Sequence, residues 1–121
     1  MVLVDTSVWV AHFKYPNDTL IDLLNIDDVC CHPLIIAELA FGTPPEPRNK
    51  TLDDLSLLRT VTIATMQEAL TFIEQRALYG KGCGHIDIAL LTSALLSKDT
   101  KLWTLDKRLS KLAEEFNIKY L

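Results

Sequence analysis

The sequence has few of the residues on which small disulfide-bonded domains and membrane proteins depend. It contains three cysteines, and two of them, Cys30 and Cys31, are adjacent. This makes a poor disulfide framework, because the count is odd and neighbouring cysteines do not bridge each other easily. No apolar stretch is long enough for export or for spanning a bilayer. We therefore expect a soluble, cytoplasmic protein with reduced thiols and no membrane association.

An excess of positive charge is also missing. The formal net charge is -4 at pH 7, which argues against a protein that coats nucleic acid without specificity. The net charge does not exclude a nucleic-acid substrate. If a bound metal ion neutralises some of the acids, the charge on the rest of the surface is nearer to balance. The 121 residues, 49% of them hydrophobic, are enough for one core and predict a single domain over residues 1–121.

Short apolar runs alternate with longer helical patterns along the whole chain. This alternation is typical of an α/β domain with a mainly parallel central sheet flanked by helices. About five strands are predicted, at Val2–Val4, Val29–His32, Thr60–Ile63, Lys101–Thr104 and Ile118–Tyr120. Helices are predicted at Ser7–Phe13, Asp18–Asn25, Pro33–Phe41, Leu52–Leu58, Thr65–Tyr79, Ile86–Ser97 and Lys107–Phe116. The proline-rich segment from Gly42 to Lys50 predicts a surface loop.

Four carboxylates lie in apolar segments, where an ionised group is costly. Asp5 and Asp106 each follow a predicted strand, whereas Glu38 and Asp87 lie within apolar helices. A carboxylate among apolar neighbours loses its hydration without compensation, unless a cation or hydrogen bonds hold it. No Lys or Arg is comparably placed in these segments. A divalent metal is therefore the simplest counter-charge, and ligands that are all oxygen indicate Mg²⁺ or Mn²⁺.

The predicted sheet offers a place for these acids to meet. In an open parallel sheet, ligands bind outside the carboxyl ends of the strands, where the strand order reverses. If the strands before Asp5 and Asp106 are neighbours, the two carboxylates reach the same edge about 5 Å apart. Glu38 can reach that edge from the helix after the second strand. Asp87 can do so from the first turn of its helix, where the helix dipole also favours an anion.

Each acid also has an ordinary structural explanation. Asp5 and Asp106 precede predicted helices, and taken singly each is explained equally well as a helix N-cap. Glu38 could lie on a solvated stripe, although its neighbours leave little polar surface. Asp87 is the strongest case, because its alternative is an unpaired buried charge.

Taken together, these segments resemble the PIN-domain ribonucleases, and among them the VapC toxins of bacterial and archaeal toxin-antitoxin pairs. The likeness covers essentially the whole chain and rests on four segments in the same order, Val4–Val8, Ile36–Gly42, Gly80–Ala89 and Leu102–Asp106. The resemblance implies a PIN-like domain that is a metal-dependent endoribonuclease. It also implies a VapB-type antitoxin that inhibits the enzyme, a homodimer, and RNA products with a 3'-hydroxyl and a 5'-phosphate.

The resemblance assigns the catalytic and metal-binding site to Asp5, Glu38, Asp87 and Asp106. It makes Asp5 and Asp87 the main ligands of Mg²⁺ or Mn²⁺, and Asp106 a ligand either directly or through water. Glu38 becomes a ligand or a group that orients water.

Other polar residues lie beside the acids in sequence. The hydroxyls of Thr6, Ser7 and Thr104 are expected to hydrogen-bond a carboxylate or a metal-bound water. Four basic residues are candidates for contacts with RNA phosphates, although ordinary solvated side chains explain them as well. They are Lys14, Lys81, Lys107 and Arg108.

Two other functions stay open at the level of sequence. A phosphotransfer protein that forms an aspartyl-phosphate also places an Asp after its first strand, with Mg²⁺ beside it. It usually has a second acid near that Asp and a lysine after a late strand, whereas Thr6 and Ser7 follow Asp5 here and Asp106 holds the late position. A catalytically silent interaction module with an acidic pocket is the other alternative.

Overall fold

The sheet is built around the first strand, which is wholly buried. In the computed structural model, which describes all 121 residues, the strands are β1 (Val2–Val4), β2 (Val29–Cys31), β3 (Arg59–Thr60) and β4 (Lys101–Trp103). Their order is β3-β2-β1-β4, and every neighbouring pair is parallel. The chain thus leaves β1 for β2 on one side and returns to its other side with β4. The strand order reverses between β1 and β4, where the four-acid site was predicted.

The helices surround this sheet. They are α1 (Thr6–Lys14), α2 (Asp18–Asn25), α3 (Pro33–Phe41), α4 (Arg48–Ser56), α5 (Met66–Arg76), α6 (His85–Leu96) and α7 (Lys107–Glu115). The predicted α/β class and mainly parallel sheet are confirmed. Helix α6 is the most buried of them, with six buried residues between Ile88 and Ala94. None of the helices is both long and apolar enough to cross a membrane.

The fifth predicted strand does not form. Segment Ile118–Tyr120 instead makes one isolated parallel bridge, between Lys119 and Leu102. The backbone is left-handed just before this segment, at Asn117 (φ 60°), and just after it, at Leu121 (φ 60°). The segment exchanges backbone hydrogen bonds with Leu102 alone, so it forms a single bridge and the sheet has four strands.

Most helix boundaries lie within two residues of the prediction, and two differ by more. Helix α4 begins at Arg48, inside the segment predicted as a loop, because Pro47 has the fixed φ of a residue that can precede a helix. Helix α5 stops at Arg76 rather than Tyr79. Ala77 has a left-handed backbone (φ 51°) there and ends the helix.

Candidate active site

Asp5 lies directly after β1, and the end of β4 fixes its carboxylate. Its side chain is 6% exposed. The hydroxyls of Ser7 and Thr104 both donate to Asp5 Oδ2, at 2.7 and 2.8 Å. Asp5 occupies the N-cap position of α1, but its side chain makes no capping hydrogen bond. The explanation of Asp5 as a simple helix cap therefore does not hold, and its Oδ1 accepts no hydrogen bond from the protein.

Glu38 is held from the same end of β1. It lies in the middle of α3, which Pro33 begins and Gly42 ends, as predicted. Thr6 Oγ1, one residue beyond Asp5, donates a 2.8 Å hydrogen bond to Glu38 Oε1. Consecutive residues after β1 thus supply one carboxylate and orient a second.

Asp106 combines a structural role with its place at the edge of the sheet. Its Oδ1 accepts the backbone N–H groups of Arg108 (2.9 Å) and Leu109 (3.0 Å), so the residue does cap α7. Its own N–H donates to Thr104 Oγ1 at 3.1 Å. Asp106 is exposed, contrary to the expectation of an apolar surrounding, because β4 ends at Trp103 and Leu105 is already 57% exposed. Its Oδ2 accepts no hydrogen bond from the protein.

Asp87 is the acid whose ionisation the fold disfavours most clearly. It lies half-buried in the first turn of α6. Burial raises its pKa above the ordinary 3.8, and the negative charges of Asp5, Asp106 and, less strongly, Glu38 raise it further. The nearby Gly84 backbone lowers the pKa of Asp87 and opposes these effects only in part. The pKa of Asp87 therefore responds to all three other predicted acids, which belong to one electrostatic cluster.

No protein cation neutralises this cluster. The ion pairs of the chain join the N-terminal amine to Asp28, Lys50 to Asp54, Arg59 to Asp27 and Lys119 to Glu114. None of them includes Asp5, Glu38, Asp87 or Asp106. The donor set is therefore all oxygen and carries excess negative charge, which fits Mg²⁺ or Mn²⁺. No group of three or more acidic, His or Cys side chains is already arranged to hold a metal ion, so binding would require the carboxylates to move closer together.

Cys83 lies near the acids, but its thiol does not suit such a site. Burial raises its pKa, and the charges of Asp87 and Asp106 raise it further. A protonated thiol is a poor ligand for a hard cation. We therefore do not count Cys83 among the residues that would bind a metal.

The predicted RNA-contact residues fall in different places. Lys14 ends α1 and lines a cleft of about 530 Å³ together with Thr6, Glu38 and Pro44. Lys81 and Lys107 are exposed. Arg108 instead lies across the glycine loop before α6, where its Nη1 donates to Gly82 O at 3.2 Å. The sequence showed the glycines of this loop but not their partner, which lies 26 residues further along the chain.

The family profile of the PIN domain matches residues 2–115 of this chain. The chain belongs to the PIN-domain family. This PIN domain is also 41% identical to Ribonuclease VapC32 of Mycobacterium tuberculosis, in the sequences of both strain CDC 1551 / Oshkosh and strain ATCC 25618 / H37Rv. The similarity extends over 118 residues, which are 98% of this PIN domain and 94% of each relative. The predicted resemblance to PIN-domain ribonucleases of the VapC type is confirmed.

Proposed function

We propose that this PIN domain is a Mg²⁺- or Mn²⁺-dependent endoribonuclease and the toxin of a VapBC-type pair. The observation that carries the proposal is the charge balance at the edge of the sheet. Burial and three neighbouring acids destabilise the ionised form of Asp87, and no Lys or Arg side chain pairs with any of the four acids. A bound divalent cation would remove that repulsion. Membership of the PIN-domain family and similarity to a named ribonuclease support the same reading.

In hydrolysis, some residues of the site would bind the metal ion and others would orient those ligands. Asp5 Oδ1 and Asp106 Oδ2 accept no hydrogen bond from the protein, so both are available as ligands beside Asp87 and Glu38. When bound there, Mg²⁺ or Mn²⁺ supplies the charge that activates a water and stabilises the leaving oxygen of a phosphodiester. Ser7 and Thr104 hold Asp5, and Thr6 holds Glu38, so neither carboxylate has to be oriented during the reaction.

The basic residues suggest how RNA would approach. Lys14 lies in the same cleft as Glu38, and Lys107 is exposed one residue beyond Asp106. Both would contact phosphates rather than bases, so they would contribute to affinity without reading the sequence of the RNA. Lys81 is exposed in the glycine loop and would act in the same way.

Partners and location follow from the family rather than from a contact in the structure. We propose a VapB-type antitoxin that inhibits by placing a cationic side chain, most simply an Arg, into the unneutralised acidic cluster. We also propose a homodimer in the cytoplasm. Light scattering of the purified chain tests the homodimer directly. Relief of growth arrest by a co-expressed antitoxin tests the inhibition.

The two alternative functions receive no specific support. In a phosphotransfer protein Asp5 would be the nucleophile, but its Oδ2 accepts two hydroxyl hydrogen bonds and the residue is buried. No lysine lies between the end of β4 and α7. A silent interaction module would not need hydroxyls that orient two of its carboxylates.

Cleavage of an RNA oligonucleotide mixture tests the enzyme directly. We expect cleavage with Mn²⁺ or Mg²⁺, no cleavage in EDTA, and loss of cleavage in Asp87→Asn with folding intact. Asp53→Asn removes one exposed acid from α4 and serves as the matched control, with cleavage unchanged. Full cleavage in EDTA, or by Asp87→Asn, would overturn the proposal.

A further inference from the structure

Arg108 connects two parts of the acidic site, one through its backbone and one through its side chain. Its backbone N–H donates to Asp106 Oδ1 at 2.9 Å, within the cap of α7. Its guanidinium Nη1 donates to Gly82 O at 3.2 Å, in the loop that leads into α6. One residue thus contacts the acid that follows β4 and the loop that precedes the helix of Asp87.

Gly82 is shaped for this contact. Its φ is +82°, which L side chains rarely adopt. A Cβ at this position would lie 2.9 Å from Arg108 Cδ and 3.0 Å from both Nε and Cζ. The Arg108 side chain therefore packs directly against the bare Cα of Gly82, along its length as well as at its tip.

Gly80 shows what the loop looks like without such a contact. Its φ is +72°, so a side chain would be strained there too, yet a Cβ would meet nothing within 4 Å. The two glycines therefore share the backbone requirement, and only Gly82 has Arg108 against it. Each residue is the natural control for the other.

The glycine loop leads directly into the first turn of α6, so the position of the loop affects the position of Asp87. Gly84 is the N-cap of α6, and Asp87 lies three residues further on, in the first turn of that helix. Gly84 O in turn accepts the N–H of Ile88 at 3.1 Å. A shift of the loop at Gly82 would therefore move the start of α6, and Asp87 with it.

We propose that Arg108, seated on Gly82, is a positioning residue that sets the placement of Asp87 relative to Asp106. The role rests on the proposed function, since it matters most if both acids bind a metal. It differs from an RNA contact because it acts through the glycine loop. The guanidinium is suited to it, since a planar group can lie flat on a backbone and donate from its end, which an ammonium cannot do.

Two sets of measurements on the 121-residue chain, with three readouts between them, test the proposal. The first is amide hydrogen exchange of residues 82–88 without metal, which depends on neither metal nor RNA. The second is Mn²⁺ affinity by calorimetry, together with kcat and KM for RNA cleavage. The variants are Arg108→Ala, Arg108→Lys, Gly82→Ala and the control Gly80→Ala.

We expect Arg108→Ala and Gly82→Ala to speed amide hydrogen exchange in the loop. They should also weaken Mn²⁺ binding by about tenfold, which is the lower end of the effect found when residues that orient metal ligands are replaced. The loss in cleavage should appear in kcat, with KM for RNA unchanged. Gly80→Ala shares only the backbone strain and should change all three readouts less than Gly82→Ala does, and Arg108→Lys should recover part of the loss.

Other results would overturn the role of Arg108. Equal effects of Gly82→Ala and Gly80→Ala would show that backbone strain alone matters. A raised KM in Arg108→Ala, with exchange and Mn²⁺ affinity unchanged, would make the residue an RNA contact. If the wild type binds no Mn²⁺, the proposed metal centre is wrong. Unchanged hydrogen exchange of residues 82–88 in Arg108→Ala would refute the positioning role of Arg108, whether or not metal binds.

Discussion

Thr104 donates a 2.8 Å hydrogen bond to Asp5, although 99 positions separate the two residues in sequence. Parallel pairing of β1 with β4, with Val4 opposite Trp103, brings the two strand ends together. Ser7 Oγ lies 3.3 Å from Thr104 Oγ1 and also accepts the N–H of Leu105 at 3.0 Å. Two hydroxyls therefore join the ends of neighbouring strands around one carboxylate.

Replacing Thr104 with Val should weaken both the fold and the site. The change keeps the shape of the side chain but removes one of two donors to a buried carboxylate. A lost hydrogen bond to a charged group typically costs about 1–3 kcal/mol, so we expect a decrease of that size in the free energy of unfolding. RNA cleavage should fall as well, because Asp5 would be less firmly oriented.

Thr104→Ser is the matched control, since it keeps the hydroxyl and removes only a methyl group. Urea unfolding and cleavage rates measured on both variants decide the matter. A loss in the Ser variant with none in the Val variant would show that packing of the Thr104 methyl group, rather than its hydrogen bond, is what the site needs.

Much of the site was predictable because its acids follow short apolar runs. Asp5 after Val2–Val4 and Asp106 after the β4 segment indicate strand ends directly, and parallel strands end at one edge of a sheet. The exposure of Asp106 was not predictable in the same way. The two residues between Trp103 and Asp106 carry the chain out to the surface, and no pattern in the sequence reports that.

Long-range contacts account for the rest of what the sequence did not reveal. The pairing of Arg108 with Gly82 depends on how α7 packs beside the loop before α6, which local propensity does not determine. The missing fifth strand has a related cause. Ile118–Tyr120 has the apolar character of a strand, but it follows a left-handed residue, Asn117, and pairs with Leu102 alone.

Asp87→Asn should stabilise the metal-free protein at neutral pH. The pKa of Asp87 is raised in the folded state above its ordinary 3.8, so the folded protein holds this proton more tightly than the unfolded chain. The resulting stabilisation is fully present below pH 3.8 and is lost as the pH rises through the folded pKa. At neutral pH the ionised group therefore opposes folding, and an uncharged amide of nearly the same shape removes that penalty.

Thermal unfolding of the two proteins in EDTA measures this effect. The variant should have the higher Tm at neutral pH, and the difference should shrink as the pH is lowered towards 3.8. Asp53→Asn, which alters an exposed acid, should change Tm little at any pH. A lower Tm for Asp87→Asn at neutral pH would show that Asp87 makes favourable interactions that outweigh its burial.

The cysteines should differ in reactivity towards an alkylating reagent. Burial raises the pKa of Cys30 and of Cys31 to about 11, and both lie in the core strand β2. Their thiols are therefore protonated at neutral pH and covered by the core. Cys83 is only half-buried, so it should be labelled first in the folded protein. Mass spectrometry after brief iodoacetamide treatment checks this order, and rapid labelling of Cys30 in folded protein would contradict it.

Mn²⁺ affinity should depend on pH, with Asp87 as a main cause. A metal binds the carboxylate, so it competes with the proton and releases it on binding. Because the pKa of Asp87 is raised above 3.8, this competition begins at a higher pH than it would for an ordinary aspartate. Affinity should therefore rise with pH through the raised pKa and then level off. Below it, each pH unit should weaken binding by up to about tenfold for one displaced proton.

Calorimetry in two buffers with different ionisation enthalpies counts the released protons. We expect proton release on the acidic side of the transition and none on the plateau. Glu38→Gln keeps Asp87 while removing the weakest of the three charges that raise its pKa, so its transition should move to slightly lower pH. Mn²⁺ affinity that is independent of pH across the whole acidic range would mean that Asp87 is not a ligand, because a ligand with a raised pKa cannot escape competition from protons.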